Sequence, residues 1–161
     1  MSVHWPHASA VELLEKSDAW DVVMPFINYV SRAQQEAAGE VDPIDGDVLE
    51  RKELLPTARG AKLGIVAMKV LGGNPGPLAK DFDRAFRYAL SVLGVACALI
   101  GVKDARQVRQ AVQAAKAFRP MTEDEMARTI RLGEEMVRAK SSASTILERH
   151  RAGDLGSGRY A

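Results

Sequence analysis

The chain predicts an α/β fold in which parallel strands alternate with helices. Apolar runs of strand length recur at residues 21–27 (DVVMPFI), 63–71 (LGIVAMKVL) and 95–100 (VACALI), as expected of strands buried on both faces. Between and after them, apolar residues repeat at helical spacing. A third observation narrows the class. The second and third runs each pass through a glycine-punctuated loop, GGNPG and then GVKD, into a helix start. Loops of that build, after the last two strands of a (β/α)8 TIM barrel, hold a phosphate against a helix N-terminus. A whole barrel takes about 250 residues and the chain has 161. The expectation is therefore the C-terminal half of such a barrel, followed by a C-terminal helix.

Each element has its own signal. Ser9 or Ala8 opens a short helix through Val11, Leu13 and Leu14 that ends at Asp18. The run at 21–27 follows as the first strand. Residues 31–47 are polar, carry Gly39, Pro43 and Gly46, and show no periodicity, so they read as a long loop, either a functional lid or a plain surface insertion. Residues 48–61 present Leu54, Leu55 and Ala58 as a helix whose middle Pro56 should disturb, or where it should restart. After the second strand, residues 81–93 set Phe82, Ala85, Phe86, Ala89 and Leu90 on one stripe facing the sheet. Asp104 is a fitting N-cap for a helix carrying Val108, Ala111, Val112 and Ala115, with Gln107 completing a capping-box pattern. A second capping box, Thr122 to Glu125, opens a charged helix reaching about Lys140. Residues 1–140 thus read as one domain and 141–161 as a polar tail that frays.

Composition excludes several function classes. Lys plus Arg number 22 against 21 Asp plus Glu, a net charge of +1 that gives no pull toward nucleic acid or a membrane surface. No apolar stretch approaches the ~20 residues of a membrane span, and the polar start MSVHWPHAS lacks the parts of a signal peptide. The single cysteine, Cys97, rules out an internal disulfide; inside an apolar strand it reads as a small buried hydrophobe, which suits a reducing cytoplasm. His4 and His7 have no Cys or carboxylate at ligand spacing, so no metal site is expected. GGNPG can be a turn and nothing more, and Lys103 a solvated surface lysine. Asn28 and Ser2 can be turn residues or strand-end caps. Phe82, Phe86 and Met126 read as packing, and residues 123–125 as a solvated first turn suited to the helix dipole.

The succession of AMKVLGG, a helix, RYALS, LGV, a strand, IGVK, RQV and FRPMTEDE resembles the C-terminal half of the aldo-keto reductases. DVVMPFIN looks like that family's sixth strand, and Ser2 to His4 like the stub of the loop after the fifth. The resemblance runs from about Ser2 to Met136. It implies NADP-dependent reduction of a carbonyl, with a proton supplied by a Tyr poised by Lys, Asp and His. In the family those four residues come from the first half of the barrel, so no catalytic residue carries over; Tyr29, Tyr88, Lys69, His4 and His7 stand at other positions. Losing an acid/base group forfeits ~10²–10⁴-fold in rate, and this chain alone is expected to be inactive.

The family's cofactor contacts do carry over. Met68, Lys69, Leu71, Gly72 and Gly73 match the loop after strand seven, beneath the nicotinamide and pyrophosphate. Gly101, Val102 and Lys103 match the segment that takes the adenosine 2'-phosphate, and Gln107 and Gln110 match helix positions on phosphate and adenine. A cation beside free helix N–H groups makes an anion site in which charge and dipole act together. Met24 replaces a Gln that holds the carboxamide in many members, Met68 an aromatic, and Ala111 an Asn that reads adenine, while Asp104 adds a carboxylate beside the phosphate. These departures predict NADP(H) binding that is weak or dependent on a complementing half. The open sheet should have two unpaired edges, which recruit partners: a chain carrying the missing N-terminal half, or further copies in self-association. The reading is a truncated or split aldo-keto reductase, the alternative a noncatalytic nucleotide-binding or oligomerisation module.

Overall fold

In the computed structural model, the residues described are Met1, 7–30, 48–72 and 76–151. Three parallel strands form one sheet in the order β1-β2-β3: β1 (Val22–Val23), β2 (Gly64–Ala67) and β3 (Val95–Ala98). Helices alternate with them: α1 (His7–Lys16), α2 (Val48–Gly60), α3 (Phe82–Ser91), α4 (Ala105–Lys116) and α5 (Glu123–Arg151). The mixed α/β class and the parallel alternation are as the apolar runs predict. The expected loop at 31–47 lies outside the described residues.

The strands are shorter than their apolar runs, for a backbone reason. Pro25 has no N–H to give the ladder, so β1 stops at Val23 and pairing resumes one step on, where Phe26 bridges Met68. There the Ile27 N–H donates to the Met68 carbonyl (3.0 Å) and the Met68 N–H to the Pro25 carbonyl (2.9 Å). Val23, Ile65 and Ala67 are fully buried, with Leu54 and Ala58 of α2 in the same core. Pro56 sits inside α2 without breaking it.

Two expectations need correction. Cys97 is exposed, not buried. β3 pairs Ile65 with Val95 but Val66 with Cys97, so Ala96 is an extra residue, and both Ala96 and Cys97 lie exposed. A bulge on an edge strand breaks the inward alternation that a continuous apolar run suggests. The last helix does not end near Lys140 but continues to Arg151. No proline follows Pro120, so nothing removes a donor from the helical ladder. The rest of the expected tail, 152–161, lies outside the described residues.

α5 is fastened to α3 at its start. Thr122 and Glu125 form the capping box: the Glu125 N–H donates to Thr122 Oγ1 (3.2 Å) and the Thr122 N–H to Glu125 Oε2 (2.9 Å). Arg87 of α3 donates to both Glu125 carboxylate oxygens (2.9 and 2.5 Å) and to the carbonyls of Arg119 and Pro120. The Arg87 guanidinium, foremost, and the Thr122 N–H hold the Glu125 carboxyl well below the usual carboxylate range. Further along, α5 crosses the end of β1 so closely that a Cβ on Gly133 would stand 2.3 Å from the Tyr29 carbonyl oxygen. Only glycine allows that approach.

Candidate functional site

The candidate site lies at the carboxyl ends of β2 and β3, the end at which open parallel sheets bind ligands. Past β2, Met68 is buried, so its side chain belongs to the core while its backbone carries the bridge to Phe26. Lys69 then turns into the left-handed region, at φ 54°. For a residue with a side chain that conformation is uncommon, and two donors hold it. Asn28 Nδ2 donates to the Lys69 carbonyl at 2.9 Å and the Gly72 N–H to the same oxygen at 2.7 Å. Asn28 is a buried polar residue, 1% exposed, and this bond across 41 positions ties the strand-end after β1 to the loop after β2.

Gly72 completes the turn with φ 82°, and a Cβ there would meet Pro77 Cγ and Cδ at 2.8 Å. The conformation and the closeness of Pro77 both demand glycine. The Leu78 N–H closes the loop onto the Leu71 carbonyl (3.2 Å), and the Leu78 side chain is buried. Gly73 lies outside the described residues. The Lys69 ammonium projects from the exposed side of this turn, 6.0 Å from the Phe26 ring centroid, a distance suited to cation–π attraction.

The second loop follows β3, whose pairing extends through the Leu99 N–H to the Ala67 carbonyl (2.7 Å). Gly101, Val102 and Lys103 are exposed, as is Gln110 on α4. Asp104 is the N-cap: its Oδ1 accepts the Gln107 N–H at 2.8 Å, and Gln107 Oε1 accepts the Lys103 N–H at 2.8 Å. The helix start is thus closed in part by its own side chains, and the Ala105 and Arg106 amides, in the first turn, have no intrahelical acceptor. Met68, Lys69, Leu71 and Gly72 therefore share one loop, and Gly101, Val102, Lys103 and Gln107 the neighbouring one, at the same end of adjacent parallel strands.

One contact behind the first loop has no counterpart in the sequence reading. The Tyr29 hydroxyl donates to Asp81 Oδ2 (3.0 Å), and Arg84 Nε lies 3.1 Å from that same oxygen. Tyr29 is fully buried and meets Tyr88 edge-on. Burial, reinforced by the Asp81 carboxylate, pushes its hydroxyl well above the ordinary tyrosine range. It is a fixed donor at neutral pH, and it pins the chain after β1 to the start of α3. Nothing in the spacing of Tyr29 and Asp81, 52 positions apart, marks the pair.

Among the described residues no cluster of His, Cys, Asp and Glu could hold a metal ion, and no helix is long and apolar enough to cross a membrane. The sequence matches no model of a known protein family and no curated protein.

Proposed function

We propose that this chain is the cofactor-phosphate half of an aldo-keto-reductase-like (β/α)8 barrel, and that it binds NADP(H) across the loops after β2 and β3. One observation carries the reading. Two loops of the expected build leave the same end of neighbouring parallel strands, one tightened by the Lys69–Gly72 turn and the other opening α4 beside Lys103. The Lys103 ammonium and the first-turn amides of α4 would take the adenosine 2'-phosphate, with charge and dipole acting in the same direction. The Lys69–Gly72 turn would carry the loop beneath the pyrophosphate, as the resemblance implies. Hydride transfer would also need the family's proton-donating Tyr, which no position of this sequence matches, so turnover would require the remaining strands of the barrel.

A second reading is a noncatalytic nucleotide-binding or oligomerisation module. The Asp104 cap favours it, because a carboxylate beside the phosphate opposes binding and occupies the Gln107 amide. Fluorescence titration with NADPH tests both. Saturable binding that Lys103→Glu weakens about tenfold or more is expected, since the substitution replaces an attraction by a repulsion. A folded, monodisperse sample that shows no saturation would remove the cofactor assignment. Binding without aldehyde reduction, even beside a chain supplying the missing strands, would establish the second reading.

A further inference from the structure

Among the described residues, α4 alone exposes two large apolar side chains one helical turn apart: Val108 and Val112, each 45% exposed. At ~100° per residue, Ala105 and Ala115 fall on the same side of the helix, and both are exposed. An apolar stripe therefore runs the length of α4, on a different side from the partly buried Gln107, Ala111 and Ala114. Arg106 lies roughly opposite the stripe and Arg109 beside it.

The order of residues along this helix has an inner symmetry. Outward from Gln110, Val108 and Val112 are equally distant, as are Gln107 and Gln113, Ala105 and Ala115, and Asp104 and Lys116. Two copies of α4 packed antiparallel about a two-fold axis at the level of Gln110 set each residue level with its counterpart. Val108 then meets Val112 of the second copy, and Ala105 meets Ala115. Asp104 stands level with Lys116, so opposite charges face each other at both ends of the contact. The remaining pairs set Arg106 level with Ala114 and Arg109 level with Ala111, and neither arginine is level with an arginine. A parallel pair would do the reverse. It would set every charge level with its like and align the two helix dipoles.

From this we infer that α4 is the contact of a two-fold dimer, in which the α4 helices of two copies pack antiparallel through Val108 and Val112. The alanines at the ends of the stripe leave room for the helices to approach. The contact stands on α4 alone and needs no bound nucleotide. One short helix from each copy covers less than the ~1,600 Å² of a standard interface, so the dimer forms and dissociates with concentration.

Light scattering after size-exclusion chromatography tests the assembly. Between about 1 μM and 1 mM the unaltered chain is expected to rise from the mass of one copy toward that of two. Val112→Asp, at an exposed position, should hold the mass of one copy throughout while leaving the circular dichroism unchanged. Cross-linking tests the direction. With Cys97 replaced by Ser, an equal mixture of the Val108→Cys and Val112→Cys chains should form a disulfide-linked dimer under mild oxidation, and neither chain alone should do so. A single-copy mass for the unaltered chain across the whole range overturns the inference, as does a dimer that Val112→Asp leaves intact. Disulfides formed by each cysteine chain alone, and not by the mixture beyond that level, would overturn the antiparallel packing.

Discussion

Helices α3 and α4 are ten and twelve residues long, and each gathers its apolar side chains on one stripe at three- and four-residue spacing. α3 buries Phe82, Ala85, Phe86, Tyr88 and Ala89, and its far side is fastened through Arg87 to the start of α5. α4 buries nothing; Val108 and Val112 remain 45% exposed on a helix that is nonetheless well capped. The two differ in their neighbours. α3 has strand, helix and linker on every apolar side, whereas α4 stands past the edge strand, where no further β/α unit among the described residues covers its stripe. A periodic stripe tells which face wants to leave water. The surrounding chain decides whether it does.

Substitutions can break that comparison at either helix. Phe86→Ala should have the largest effect, about 3–5 kcal/mol of lost stability by denaturant unfolding, because a buried aromatic leaves a cavity behind. A loss close to zero would mean that α3 is not the packed helix described.

A smaller and pH-dependent loss is expected from Arg87→Ala. The folded-state pKa of Glu125 lies below its unfolded value near 4.3. The stabilisation is therefore complete above that unfolded value and is lost as the pH falls below it, through the folded pKa. Arg87→Ala should flatten this acid limb of the stability curve, and identical limbs in the two proteins would remove Glu125 from the α3–α5 junction. Smallest of all, Val112→Ala should change the stability of dilute protein by no more than about 0.5 kcal/mol, since the site is half exposed. A loss like that at Phe86 would show that the α4 stripe is covered in solution even in the dilute protein.

The parts of the site differ in how far they could be read in advance. Asp104 and Gln107 sit three apart and act within one turn of helix, so the cap was plain from their spacing and is found in place. The same holds for Thr122 and Glu125. Gly72 was legible as a turn residue, but the reason that it must be glycine, the contact with Pro77, arises only when the loop folds back. The buried Asn28, which holds the strained Lys69 carbonyl, and the Tyr29–Asp81 pair behind it join residues 41 and 52 positions apart. Without a local pattern between them, no spacing could have disclosed either contact.

The sequence by itself determined what depends on near neighbours: the order of strands and helices, both capping boxes, the apolar stripes and the parallel sense of a sheet whose strands are linked through helices. Such features follow from hydrogen bonds and side-chain directions within a few residues. Only the tertiary structure decided that Pro25 cuts β1 short, that a bulge at Ala96 leaves Cys97 exposed, that Gly133 admits α5 against Tyr29, and that α4 ends with an uncovered face. Those outcomes depend on which distant backbone arrives alongside. An apolar residue leaves water only when another surface is there to meet it.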